Sequence, residues 1–398
     1  MNKKIIAIAL MLFAIHFSSS QTIETSTFGK GLLNLKAKDS SWTMKLGARF
    51  QVLSSSSWDY SYQKLSDQTT NTLIRRSRLK FDGYAFSPKL VYKLEIGLSN
   101  RDISGGSKYT GNTPRYVMDA VLKWKFYENF VLWFGQTKLP GNRERVISSA
   151  NLQFVDRSIL NSRFNIDRDI GLQLHHKTAI GNSLVMKEIV SISQGEGRNV
   201  TTGNQGGYQY TGRLEVFPFG EFDKKEDYMG SDLLRTQTPK LSLAVTYDYN
   251  QDAVRTRSNM GSYMENDLGL YQTNISTIFA DFMFKYKGLS IMGEYAKRNA
   301  DDPIAKNSDG TETGDIVLIG KGYNIQSGYL LKNNWEFSGR YSNNEFEEIT
   351  NADRMNSYTL GISKYFVGHK LKLQTDFSYL NSESNDSVLA RLQVEIHF

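Results

Sequence analysis

The stretch whose reading decides the fold is Arg75-Arg76-Ser77-Arg78-Leu79-Lys80-Phe81-Asp82-Gly83-Tyr84-Ala85-Phe86, "RRSRLKFDGYAF". From Arg76 every second residue is polar or charged: Arg76, Arg78, Lys80 and Asp82. Leu79, Phe81 and Ala85 fall between them. Period two is the period of a strand, whose successive side chains point to opposite faces. One face of this strand is apolar and the other carries a row of cations. In a soluble sheet the apolar face meets a core. In a membrane barrel it meets lipid, and the cations meet a water-filled lumen.

The rest of the chain decides between the two. In "KLVYKLEIGL" (89–98) Leu90, Tyr92, Leu94, Ile96 and Leu98 share one face, while Lys93 and Glu95 take the other. In "SVLARLQVEIHF" (387–398) Val388, Ala390, Leu392, Val394, Ile396 and Phe398 oppose Arg391, Gln393, Glu395 and His397. Segments of about ten alternating residues separated by turns are the signature of a transmembrane antiparallel β-barrel. Sixteen strands are read, at 41–53, 73–86, 89–99, 115–127, 129–137, 168–177, 183–193, 208–217, 239–249, 271–287, 289–299, 319–331, 334–342, 356–366, 370–380 and 387–398. The even count returns both chain ends to the periplasmic side. Long connections (54–72, 100–114, 138–167, 250–270 and 300–318) alternate with short ones, as outer loops alternate with periplasmic turns. The connection 218–238 is long where a short turn is expected. Trp42, Phe86, Trp124, Phe126, Phe130, Trp133, Trp335, Phe366 and Tyr379 fall near strand ends, as interfacial girdles do. No linker or composition break divides 41–398, which reads as one barrel domain.

Residues 1–20, MNKKIIAIALMLFAIHFSSS, have the order of a secretory signal peptide: Lys3 and Lys4, an apolar run, then small residues, with cleavage before Gln21. The apolar run is too short to span a bilayer. Residues 21–40 then form a short polar periplasmic lead. The composition is modestly hydrophobic, at 39% with mean hydropathy −0.44, yet holds 22 Tyr and 22 Phe against only 6 Pro. That balance suits strands. The chain has no cysteine, so the expected exported protein stands on its core or its closed sheet without disulfides. The formal net charge of +7, which includes Lys3 and Lys4 of the leader, permits an anionic partner.

Signals for catalysis are poor. The sequence has no G-x-S-x-G elbow, no H-E-x-x-H and no P-loop. His175 and His176 alternate on one strand and cannot jointly chelate. Asn307 to Glu312 looks faintly like a calcium loop, but Ala305 stands where the first acid belongs. The Gly-rich run 195–207 is followed by no helix to complete a phosphate cradle. The expectation is no catalytic residue, no cofactor, no metal and no nucleic-acid partner.

Three stretches, "RRSRLKFDGYAFSPKLVYKLEIG" (75–97), "GQTKLP" (135–140) and "NIDRDIGLQL" (165–174), together with the terminal Phe398, resemble the phosphate-selective porin O/P family. The leader and its cut before Gln21 are similar to Bacteroidetes versions. The resemblance implies a sixteen-stranded porin of the Gram-negative outer membrane, usually a homotrimer, with one loop folded into the lumen and basic residues at the constriction. The double-arginine strand start falls on Arg75 and Arg76. The inward loop falls within 138–167. The pore and anion-binding candidates are therefore Arg76, Arg78 and Lys80 on the strand, and Lys138, Arg143, Arg145, Arg157 and Arg163 in the loop. The implied partners are membrane lipid and lipopolysaccharide, small anions, and the barrel-assembly machinery, which would read Phe398. The implied function is passive diffusion of small hydrophilic solutes, favouring anions such as phosphate. Two alternatives stay open: the cations pair structurally across the lumen, or the barrel is a non-conducting accessory of a secretion or uptake machine.

Overall fold

Sixteen strands follow one another antiparallel in the computed structural model, and the last bonds back to the first. It describes residues 21–24, 26–111, 115–181 and 183–398; the expected signal peptide lies outside them. The strands are β1 Thr43–Ser61, β2 Lys64–Ala85, β3 Ser87–Gly97, β4 Val117–Tyr127, β5 Phe130–Lys138, β6 Arg168–Ile180, β7 Leu184–Ser193 and β8 Gln209–Phe217. They continue as β9 Lys240–Ala253, β10 Thr273–Tyr286, β11 Leu289–Ala300, β12 Gly320–Leu330, β13 Trp335–Phe346, β14 Met355–Tyr365, β15 Leu371–Ser382 and β16 Asp386–His397. The closing register runs from Asp386 opposite Tyr60 to His397 opposite Arg49. Closure leaves the membrane-crossing wall without an open edge.

The wall is inside-out, as the alternation requires. Leu360 is 71% exposed and Phe134 60% on the outer face, whereas Gln51, Glu215, Thr277 and Arg298 are buried on the inner face. The apolar side of β2 faces outward, and Arg76 and Arg78 face in.

One connection differs from the sequence reading, and a second agrees with it. The long loop expected over 54–72 is instead a hairpin, because β1 and β2 run on to a two-residue turn at Tyr62 and Gln63. Both turn residues have positive φ, 50° and 61°, the geometry that matches strand twist in a tight hairpin. Exposed Ser, Thr and Asn residues make up much of this ribbon, so no apolar face betrays its strands. The second is the connection 218–239. It is long in the structure too, and it enters the barrel from the end where the turns are short. Its Asp232 carboxylate accepts from the Gly288 amide at 2.7 Å. Lys285 of β10 donates to the carbonyls of Glu226 and Ser231 at 2.8 and 2.7 Å.

From the other end the loop 139–167 folds inward and carries two short helices, Arg143–Val146 and Ile159–Phe164. Leu139, Leu160, Phe164 and Ile166 pack on Phe279 and Ala296 of β10 and β11. Ile147 and Leu152 pack with Phe217, Phe222, Met283 and Met292. The two inward segments meet where the Gly230 amide donates to the Asn151 carbonyl at 2.8 Å. They fill the lumen along β8 to β15, and the remaining space lies against β2 to β7.

The lead 21–40 is no free tail. Its strand Leu33–Ala37 pairs with the start of β1, and the Phe28 ring meets Phe398 edge-on at 5.8 Å.

Candidate functional site

The space left beside the two inward segments is a cavity of about 1350 Å³. It extends from Lys177 and Lys225 near the short-turn end to Arg257 and Ser262 near the long-loop end. Among the described residues, nineteen lysines and arginines line it against seven aspartates and glutamates.

The cations of β2 reach it through a local irregularity. The register passes from Gln51 opposite Arg76 to Val52 opposite Ile74, so Arg75 is an extra residue. A bulge of this kind turns successive side chains toward one side. Both arginines therefore meet one carboxylate of the inward loop: Arg75 Nη2 lies 2.6 Å from Asp156 Oδ2, and Arg76 Nη2 lies 3.4 Å from Asp156 Oδ1. Arg76 also donates to Gln51 at 2.8 Å. Burial opposes ionisation of Asp156, but Arg76 and Arg75 outweigh it and hold the carboxyl well below the usual range. Arg78 forks onto Asp102 through Nε and Nη2 at 2.8 and 2.6 Å, and its Nη1 meets Glu95 at 2.8 Å. Lys80 does not line the cavity; it pairs with Asp82 at 2.9 Å. The row that the sequence puts forward is thus tied to carboxylates.

The loop candidates separate in the same way. Lys138 Nζ donates to the carbonyls of Arg145, Val146 and Ile147 at 2.6, 3.3 and 3.1 Å, which fixes the first turn of the loop. Arg145 pairs with Asp167. Arg157 lines the cavity and spends Nε and Nη2 on the carbonyls of Glu144 and Ile147, both at 2.8 Å. Arg163 lines it without a side-chain partner among the described residues. Arg143 corrects the sequence reading: it turns away from the cavity into the opposite wall. There its Nη2 meets Glu215 of β8 at 3.1 Å and its Nε meets Asp281 of β10 at 2.8 Å, with all three side chains fully buried. Arg213 of β8 completes that cluster. A cation so placed docks the loop and does not line the cavity.

Other cations enter that the sequence reading passed over. Lys93 and Lys123 sit on the inward parity of β3 and β4, a pattern open to reading. Arg198 and Lys225 lie in connections, where no period announces them. Trp133 is a further correction. It lines the cavity instead of a girdle, with Lys123 Nζ 3.4 Å from its ring centre and His175 stacked at 4.1 Å. Its neighbour Phe134 takes the outer face.

Ten of the nineteen lining cations have no carboxylate within 4.0 Å among the described residues: Arg101, Arg115, Lys123, Lys138, Arg157, Arg163, Arg198, Lys225, Arg255 and Arg257. Six of the seven acids are paired; Asp315 is the exception. The uncompensated charge is therefore positive along the length of the cavity. The electrostatic potential of such a lining is positive, the more so where walls of low dielectric focus the field. Among the described residues no group of three His, Asp or Glu could hold a metal ion.

A family model described as "Phosphate-selective porin O and P" matches residues 48–396. An uncharacterized protein of Aquifex aeolicus (strain VF5) is 25% identical over 320 residues, which cover 76% of this chain and 72% of that protein. Among solved structures, OmpF of Salmonella typhi in complex with daunomycin aligns at TM-score 0.57 and 12% identity, over 90% of this chain and 98% of that one. The anion-selective porin from Comamonas acidovorans aligns at TM-score 0.56 and 10% identity, over 90% and 100%. The outer membrane channel DcaP of Acinetobacter baumannii aligns at 0.54 and 13%, over 91% and 99%. At these identities the structural likeness is one of fold.

Proposed function

The chain belongs to the phosphate-selective porin O and P family, a barrel of the Gram-negative outer membrane, and from that membership we propose that it passes small hydrophilic solutes by passive diffusion and favours anions, phosphate among them. The observation that carries the preference is the ten lining cations without a carboxylate partner among the described residues. Two unit charges about 4 Å apart interact by ~1 kcal/mol in bulk water and ~4 kcal/mol at an effective dielectric of 20. A narrow aqueous passage lies between these limits, so several cations together concentrate anions without trapping any one of them. Conduction requires such weak, shared stations. The length of the cavity, from Lys225 to Arg257, favours a channel over a sealed accessory barrel. In this reading the unit at work is a homotrimer set in lipid and lipopolysaccharide.

The test is release from proteoliposomes loaded either with labelled phosphate or with rubidium. Faster phosphate release at low ionic strength is the expected result. Equal release, or faster rubidium release, would refute the preference.

A further inference from the structure

The outer face of the wall is not even. Over β8 to β12 it holds a hollow of about 710 Å³, lined almost wholly by apolar groups. The strand register explains it. Ala280 stands between Val245 and Tyr295, and Gly293 stands between Phe282 and Ile325. A Cβ at Gly293 would lie 2.2 Å from the Phe282 ring, so the ring folds down over the glycine instead of standing out from the wall. Val245, Tyr295 and Ile325 are exposed and rise around these low positions. Five neighbouring strands about 4.8 Å apart make the hollow ~19 Å across, room for an extended acyl chain.

Cations stand at its outer end. One outward-facing position beyond Tyr295 and Tyr323, toward the long loops, come Lys297 of β11 and Lys321 of β12. Both are exposed and directly opposite each other, a pairing that like charges disfavour. Lys297 has no carboxylate partner among the described residues. Lys321 meets Glu345 at 3.5 Å, but Arg354 holds the same acid at 3.0 Å. Three cations therefore share one acid. Tyrosines mark the depth: Tyr323 meets Tyr341 at 5.6 Å and Tyr341 meets Tyr358 at 4.9 Å along the wall. Aromatic belts of this kind sit at the level of lipid headgroups. The lysines, one step further out, stand among the headgroups of the outer leaflet.

We propose that this face seats one phosphorylated glycolipid of the outer leaflet, with an acyl chain in the hollow over Ala280 and Gly293 and a headgroup phosphate between Lys297 and Lys321. The inference rests on the outer-membrane barrel and is independent of what the lumen passes. A free anion would meet the lysines and leave the hollow empty. An uncharged lipid would fill the hollow and leave the opposed lysines as they are. A lipid with an anionic head satisfies both, because ammonium groups bind phosphate as point charges and basic sites at a membrane surface hold anionic headgroups.

The experiment is native mass spectrometry of the full-length, detergent-solubilised barrel titrated with diphosphoryl lipid A, in the native chain and in two variants. K297Q/K321Q removes the two charges. Ala280→Leu fills the hollow with a side chain suited to the lipid face. Unchanged heat-modifiable migration in gels shows that each variant is folded. The expected result is one lipid A per chain, bound at least fivefold more weakly by K297Q/K321Q and at least threefold more weakly by Ala280→Leu. Native-strength binding in either folded variant would overturn the proposal. So would equal binding of lipid A stripped of its phosphates, a comparison that needs no variant. A native barrel that takes no lipid A, with an oligomeric mass that Ala280→Leu shifts, would overturn it and assign the hollow to a second copy. Anion-selective current in a barrel that binds no lipid A would retire the seat and leave the channel reading standing. Lipid A bound as expected by a barrel without anion-selective current would keep the seat and retire the anion preference.

Discussion

Replacing Arg143 by Met tests whether the inward loop is docked by buried charge. The native cluster sets Arg143 and Arg213 against Glu215 and Asp281, all four side chains at 0–1% exposure. The substitution keeps an unbranched apolar stem and removes the guanidinium and its charge. It deletes hydrogen bonds to Asp281 at 2.8 Å, Glu215 at 3.1 Å, Ser242 at 2.8 Å and the Asp227 carbonyl at 3.1 Å. Breaking a buried pair by removing one partner typically costs about 3–5 kcal/mol. Arg213 still holds both acids, so the lower end applies, ~3 kcal/mol. The ladder of the wall is untouched, and the cost falls on docking of the loop 139–167. At 1.4 kcal/mol per tenfold, the undocked population should rise on the order of a hundredfold. Limited trypsin digestion of the folded barrel reads this as faster cutting at Arg145 and Arg157, and single-channel recording reads it as a larger open conductance. A folded, heat-modifiable R143M barrel with native cutting rate and native conductance would refute the docking role.

Asp156→Asn should free Arg75 and Arg76 toward the passage and strengthen anion preference; an unmoved reversal potential in a tenfold salt gradient would count against their being tied there. Because those two arginines hold the Asp156 carboxyl below its ordinary value, its stabilisation is complete above about pH 3.9 and is lost only as pH falls through the lower folded value. Trypsin cutting of the loop, taken relative to cutting of a free peptide at the same pH, should therefore match at pH 7 and pH 5, and a relative rise at pH 5 would contradict the assignment. Deleting Phe398, whose amide donates to the Ala48 carbonyl at 2.9 Å at the barrel seam, should lower surface abundance far more than it alters conductance; normal abundance of the truncated chain would argue the reverse. Tyr62→Asn with Gln63→Gly relieves two left-handed non-glycine residues, worth ~1 kcal/mol each, so the β1–β2 ribbon should resist proteolysis longer, and faster cutting would show that the turn is not strained.

What the sequence discloses follows from where water and lipid lie. The wall was legible because lipid on one side and a wet lumen on the other impose period two, as in Leu90, Tyr92 and Leu94 against Lys93 and Glu95. The ribbon beyond the membrane was not, since Ser54 and Ser56 stand across from Thr72 and Thr70 with water around them. Arg76 and Arg78 were legible as inward cations, but their partners were not: Asp156 and Asp102 come from connections. Arg75 escaped the alternation because a bulge adds a residue there. Arg143 was misplaced because its fate depends on Asp281, 138 residues away, and no local spacing records that contact. Trp133 was misassigned by its position near a strand end, although its parity, opposite to that of Phe134, pointed inward.

The measurement that bears most directly on the central claim is the reversal potential of the purified barrel in a planar bilayer under a potassium chloride gradient. At about 0.1 M, screening acts over ~10 Å and the unpaired lining cations should give a reversal potential of anion-selective sign. Near 1 M, where screening acts over ~3 Å, that preference should shrink. A reversal potential near zero at low salt, or one of cation-selective sign, would contradict the account.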